Sequence, residues 1–214
     1  GYGANIVRLR LWHNPTWTNY STLEDVKRSM RRAKSAGLDV LLDFHYSDTW
    51  TDPQQNLVPA AWKPVVKYSS LLADSVYNYT YRTLEHLNRV GLLPVMVQIG
   101  NETNFNIMVA DNNDLEPVNY ARNVKLFNAG LKAVSDFNAK YGKQIMTMLH
   151  VALDPGSAST WLSRHKRYGL NYFDLLGLSY YPQWQGYTPT ELGNFASSLH
   201  TNYGTRLFVA ETSQ

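Results

Sequence analysis

The chain has 214 residues, 44% of them hydrophobic, which is enough for one core and predicts a single domain over 1–214. Twenty Lys and Arg against 17 Asp and Glu leave a formal charge of +3 with no basic stripe, which weighs against nucleic acid as a partner; Lys27-Arg28 and Arg31-Arg32 read as one solvated helix face. The absence of cysteine excludes disulfides and thiolate metal sites, and no signal peptide or membrane-spanning run is found.

Ile6 to Trp12 alternates with period two, so Arg8, Arg10 and Trp12 share a strand face. Two arginines pointing into a closed sheet need anionic partners, because a buried unpaired charge is costly. Ser21-Thr22-Leu23-Glu24 predicts a capping box opening a helix that runs to Ser35 and stops at Gly37. Leu38 to Phe44 reads as the next strand, followed by the polar string Asp43-Phe44-His45-Tyr46-Ser47-Asp48-Thr49-Trp50, in which Asp43 and His45 share a face. The segment Thr51 to Pro64, which carries Trp62, is too long for a plain connector.

Leu71 to Arg89 predicts a helix packing through Leu72, Val76, Tyr79, Leu84 and Leu87. Val95 to Ile99 is an apolar run that ends in Gly100-Asn101-Glu102, the pattern of a buried parallel strand emptying into a site. Pro117 to Tyr141 carries a helix with Val124, Phe127, Leu131 and Val134 on one stripe. Strands follow at Gln144–His150 and Leu175–Tyr181, then a capping box at Thr188-Pro189-Thr190-Glu191. Arg206 to Ala210 is a last strand, ending in Glu211.

Strands alternating with helices imply a parallel sheet. Polar or aromatic residues close almost every strand: His13, His45, Glu102, His150, Tyr181, Glu211. Chemistry spread over so many strand ends favours an α/β (β/α)8 TIM barrel over an open doubly wound sheet, whose ligands gather at one switch point. Six strands are legible, numbered about second to seventh, and a strand is expected before Gly1 and another after Gln214. Two glutamates delivered by two strand ends are the pairing used in glycoside hydrolysis. Burial of Glu102 would raise its pKa and suit a general acid. Its charge neighbour Glu211 is expected to be the chief cause of that rise, with desolvation second.

The strings Val7-Arg8-Leu9-Arg10-Leu11-Trp12-His13-Asn14-Pro15, Asp43-Phe44-His45-Tyr46-Ser47-Asp48-Thr49-Trp50-Thr51-Asp52-Pro53, Gly100-Asn101-Glu102-Thr103, Gly177-Leu178-Ser179-Tyr180-Tyr181-Pro182 and Val209-Ala210-Glu211-Thr212 run in order through the whole chain. Together they resemble the endo-β-1,4-galactanases (arabinogalactan endo-β-1,4-galactosidases) of glycoside hydrolase family 53. The resemblance implies a retaining, endo-acting hydrolase of β-1,4-galactan, the side chain of pectic arabinogalactan. It implies Glu102 as acid/base and Glu211 as nucleophile, with Asn101 on the sugar 2-hydroxyl, Tyr181 and Arg8 on the nucleophile and His45 in support. Trp50, Asp48, Trp62, Arg10 and His150 are the implied substrate-binding residues, although Val151 to Gly156 departs from the family pattern. No cofactor or metal ligand is implied; a structural calcium is left open, because most of the region where some bacterial relatives bind it is missing from the sequence. A monomer that is secreted, periplasmic or held at the cell surface is expected. Two alternatives stay open: another retaining barrel glycosidase (a mannanase or cellulase), against which the Asp43–Trp50 string argues, and a carbohydrate-binding fragment without turnover.

Overall fold

The computed structural model describes residues 3–213. Gly1, Tyr2 and Gln214 lie outside the described residues, as do the strands expected before Gly1 and after Gln214. Six strands form one sheet: β1 (Ile6–Leu11), β2 (Asp39–Phe44), β3 (Met96–Ile99), β4 (Met146–Val151), β5 (Leu175–Ser179) and β6 (Arg206–Glu211). Their order in the sheet is their order in the chain, and each pairs with the next in parallel. Parallel neighbours need crossovers, which here include α1 (Leu23–Ser35), α2 (Ser69–Arg89), α3 (Tyr120–Tyr141), α4 (Pro155–Arg167), the single turn α5 (Pro182–Gln185) and α6 (Pro189–Tyr203). This is the arrangement of a partial (β/α)8 barrel, and all six strands read from the sequence are present within two residues of their expected ends.

The main core lies between the sheet and the helices. Leu42, Phe44, Val97, Ile99, Leu149 and Leu176 pack there against Leu84 and Leu87 of α2 and Phe127 and Phe137 of α3. The opposite face holds a small apolar plug of Leu41, Met148 and Leu175, above which polar side chains take over. That change along the inner face is what leaves room for a site at the C-terminal end of the sheet.

Three local features differ from expectation. The first capping box is displaced by one residue. Thr22 is the N-cap and accepts from the Asp25 amide, while Asp25 Oδ2 accepts from the Ser21 amide, because Ser21 takes a left-handed φ of 57° that places it outside the helix. Helix α4 was not anticipated, although Asp154 caps the Ser157 amide and Pro155 stands in the first turn, a standard opening signal. The helix over Ser69–Arg89 begins two residues before the apolar periodicity, since its first residues face outward.

Candidate active site

The turn after β3 is shaped by two left-handed residues. Gly100 has φ 84°, and a Cβ there would stand 2.7 Å from Thr103 Cγ2. Glu102 has φ 47°, a conformation that costs a non-glycine residue about 1–2 kcal/mol and is met most often where function holds it. The residue that follows fixes it: Thr103 N and Oγ1 each donate to His150 O at 2.8 Å, and Trp161 Nε1 donates to Thr103 O at 3.0 Å. The result aims the Glu102 carboxyl over the sheet's inner face.

Arg8 organises that face. Its Nη1 donates to Glu211 Oε1 at 2.7 Å, Nη2 to Asp43 Oδ2 at 2.8 Å and Asn101 Oδ1 at 2.6 Å, and Nε to Gln98 Oε1 at 2.9 Å. One guanidinium thus joins β1, β2, β3, the turn after β3 and β6, which requires the sheet to curl until its two outer strands face each other. Burial works against the Arg8 charge, but Asp43, Glu211 and Glu102 outweigh it and hold its pKa above the ordinary value. Burial likewise opposes the charge on Asp43, and Arg8 and His45 overcome it, so that carboxyl stays below its ordinary range.

Buried His45 accepts from the Thr51 amide at Nδ1 (2.9 Å), which assigns its proton to Nε2, 3.0 Å from Asp43 Oδ2. Asn101 donates from Nδ2 to Thr51 O at 2.7 Å, and this orients its carbonyl toward Arg8. The Tyr181 hydroxyl donates to Glu211 Oε2 at 2.9 Å; burial first, and that bond second, push its pKa up to about 12, so it remains a donor. Both oxygens of Glu211 are therefore held by donors.

Glu102 is poised differently. Ser179 Oγ lies 2.5 Å from its Oε1. Its pKa is raised to about 7, first by burial, with Glu211 and Asp52 adding to the rise while the Ser179 bond and Arg8 oppose it. The order of causes corrects the sequence expectation: desolvation leads and the charge of Glu211 comes after it, because the carboxyl is largely enclosed by the strand ends around it. One carboxylate oxygen of Glu102, one of Glu211 and a ring nitrogen of His150 lie within 4.8 Å of one another. These three groups have the chemistry of metal donors, but Arg8 already supplies the positive charge and the imidazole nitrogens are both engaged in hydrogen bonds, so the set fits a proton-transfer site better than a cation site.

The outer residues sort by burial. Trp50 is 46% exposed at the rim and edge-on to Trp17, ring centroids 6.2 Å apart, so it is not a core ring. Trp17 (60% exposed) and Trp184 (73% exposed, 5.3 Å from the Tyr181 ring) were not singled out from sequence. The available signal was an aromatic residue inside a polar segment directly after a strand, in Asn14-Pro15-Thr16-Trp17 and Pro182-Gln183-Trp184.

The other four implied substrate contacts stand in different settings. Trp62 is only 7% exposed, because the 3-10 turn Ala60–Val65 tucks it against His13 and Tyr79 at 4.9 and 5.8 Å. Asp48 spends both oxygens on backbone amides, of Asn14 at 2.9 Å and Ala60 at 2.8 Å, so it ties two loops together. His150 is fully buried beneath Asn101 and Ser179, and burial takes its pKa down to about 3, so its ring is neutral. Arg10 is exposed, its guanidinium 5.6 Å over the Trp12 ring, and the anionic partner expected for it is not found among the described residues.

The family model for glycosyl hydrolase family 53 matches residues 1–214. The chain belongs to glycosyl hydrolase family 53. It is 44% identical over 212 residues to an arabinogalactan endo-β-1,4-galactanase of Cellvibrio japonicus (strain Ueda107), covering 99% of this chain and 56% of that protein. A family 53 glycoside hydrolase catalytic domain from Ignisphaera aggregans superposes with a TM-score of 0.83 at 32% identity, over 98% of this chain and 57% of that one. A fungal β-1,4-galactanase gives 0.84 at 31% identity, over 98% and 62%. The family 53 chain therefore spans somewhat more than half the length of the relatives it matches. Those likenesses extend over the same six strands that carry Arg8, Glu102 and Glu211.

Proposed function

We propose that this family 53 chain carries the catalytic centre of a retaining endo-β-1,4-galactanase, with Glu211 as nucleophile and Glu102 as acid/base. The observation that supports this most directly is the spacing of the two carboxyls, with oxygens within 4.8 Å. Retaining glycosidases hold their carboxyls about 5–5.5 Å apart, while inverting ones need about 6.5–9.5 Å to admit a water. The names of the relatives supply the substrate class, β-1,4-linked galactan.

In this reading Glu211, ionised and aimed by Arg8 and Tyr181, attacks the anomeric carbon and forms a glycosyl ester. Glu102 gives its proton to the departing glycosidic oxygen. Esterification removes the negative charge of Glu211, one of the influences that raise the pKa of Glu102. Glu102 then loses its proton more readily and takes one from the water that hydrolyses the ester. Asn101 keeps a second Nδ2–H beyond the one given to Thr51, and this is the group we assign to the sugar 2-hydroxyl. Trp50 supplies a flat face for a neighbouring sugar. No described helix is long and apolar enough to cross a membrane. Since a polysaccharide substrate is met outside the cytoplasm, we place the protein in a secreted, periplasmic or cell-surface setting, acting as a monomer without a cofactor.

The test is a reducing-sugar assay on β-1,4-galactan, mannan and cellulose, with proton NMR of the earliest product. Preferential cleavage of galactan releasing the β-anomer is expected. Release of the α-anomer, or equal action on mannan or cellulose, overturns the reading.

A further inference from the structure

Ser179 closes β5 in the sequence Leu-Leu-Gly-Leu-Ser and is fully buried, yet it has two polar partners on opposite sides. Its Oγ is 2.5 Å from Glu102 Oε1 and 3.1 Å from His150 Nε2. A hydroxyl has one proton to donate, so it cannot donate to both. On the far side of the ring, His150 Nδ1 also meets groups of both kinds. The acceptor Asn101 Oδ1 is 2.9 Å away, while the donors Gln98 Nε2 and the Glu102 amide are at 3.2 and 3.3 Å. Gly177 next to it in the sheet leaves space for the ring, since a Cβ there would stand 3.2 Å from His150 Cδ2.

We propose, resting on the acid/base role given to Glu102 above, that Ser179 is a positioning residue which reverses its hydrogen bond as Glu102 changes protonation state, and that the tautomer of His150 follows. With Glu102 protonated, Glu102 donates to Ser179 Oγ, Ser179 donates to His150 Nε2, and His150 Nδ1–H donates to Asn101 Oδ1. With Glu102 ionised, Ser179 donates to the carboxylate, His150 Nε2–H donates to Ser179, and Nδ1 accepts from Gln98 and the Glu102 amide. The two states differ by one proton, lost to solvent at equilibrium; Gln98 Nε2 keeps Gly100 O as an acceptor in both, while the Glu102 amide has its described partner, His150 Nδ1, in the ionised state alone. The ring stays neutral throughout, in keeping with its depressed pKa. Each state is the one that one half of a double displacement requires.

The other charged groups facing Glu102 are Glu211 from β6, Asp52 from the segment after β2 and Arg8 from β1. None of them contacts Ser179 by a hydrogen bond among those described, so Ser179 can be altered without touching them. Losing a bond to the ionised form costs more than losing one to the neutral form. The Ser179→Ala carboxyl should therefore titrate higher.

Carboxyl ¹³C NMR of glutamate-labelled protein, with Glu102 assigned by its loss in Glu102→Gln, reads that titration. Imidazole ¹⁵N NMR reads the His150 tautomer. In the unaltered protein the His150 signals should pass from the Nδ1–H to the Nε2–H pattern with the same midpoint as Glu102. In Ser179→Ala the Glu102 midpoint should rise by roughly half to one pH unit, while Ser179→Thr, which keeps the hydroxyl, should restore it. A His150 tautomer that stays constant across the Glu102 titration, or a Glu102 midpoint unmoved in Ser179→Ala, overturns the proposal. These readouts need no turnover. If they behave as stated but galactan is not cleaved, the coupling stands and the assigned reaction fails.

Discussion

Arg8 and Glu211 are 203 positions apart in the chain and 2.7 Å apart in space. They stand on the first and last strands of the described sheet, so their contact registers how far the sheet has curled. Arg8 also neutralises fully buried Asp43. Arg8→Ala strands that carboxylate, and breaking one side of a buried pair costs about 3–5 kcal/mol. Urea denaturation of Arg8→Ala should show a loss of that order, and Arg8→Ala/Asp43→Asn should recover part of it. Galactanase activity should stay lost in both, because Glu211 is left unaimed. Equal stability of the single and double variants would count against Asp43 as the source of the cost.

Glu211→Ala should abolish turnover, since no other carboxylate lies where the ester must form. Azide, entering the vacated side, should restore part of the rate on an activated aryl β-galactoside and give the α-galactosyl azide. Near-normal activity without azide removes Glu211 from the nucleophile's role.

The raised pKa of Glu102 sets a pH limit. The first step needs Glu102 protonated, and that fraction falls as pH rises through about 7. The alkaline limb of kcat/KM should therefore lie near pH 7 and vanish in Glu102→Gln. That variant should lose less on aryl galactosides with good leaving groups than on galactan, when the glycosylation step is followed. A limb that persists in Glu102→Gln belongs to another group.

Trp50 and Trp62 should separate cleanly. Trp50→Ala removes an exposed rim ring, so KM should rise, by an amount equivalent to about 1–3 kcal/mol of lost contact, with little change in melting temperature. Trp62→Ala empties a packed site and should cost about 3–5 kcal/mol of stability, with KM of the folded enzyme unchanged. Thermal melts beside steady-state kinetics distinguish the two, and the reverse assignment of effects would refute this division.

Acid sensitivity should come partly from His165. The side chain is buried on α4 beside Trp161, its Nε2 has no partner among the described residues, and burial lowers its pKa to about 4. An unfolded histidine titrates near 6.5, so from about pH 6.5 down to about 4 the unfolded state takes up a proton that the folded state refuses. The stability contribution is complete above pH 6.5 and drains away across that window. Urea midpoints measured from pH 7 to 4 should fall less steeply in His165→Leu than in the unaltered protein. Parallel curves would place the acid sensitivity elsewhere.

The sequence alone determined the strand order, the barrel architecture and the delivery of two glutamates to strand ends. Each rests on a local signal: an apolar run of strand length, its abrupt polar end, and the alternation that put Arg8 on an inward face. It also held the opening signal of α4 in Asp154-Pro155, which lacked only a strong apolar stripe to draw attention to it. What it could not decide were matters of who meets whom. Trp50 and Trp62 are twelve positions apart in one Pro- and Gln-bearing stretch, and only the turn at Ala60–Val65 buries the second while leaving the first at the rim. Ser179 looks like the end of an apolar strand until the sheet curls and brings it to Glu102, 77 positions away. The cause of the raised Glu102 pKa belongs to the same class. Charge can be counted along a chain, but desolvation is a property of the space a carboxyl occupies, and that space exists only once the strands have closed around it.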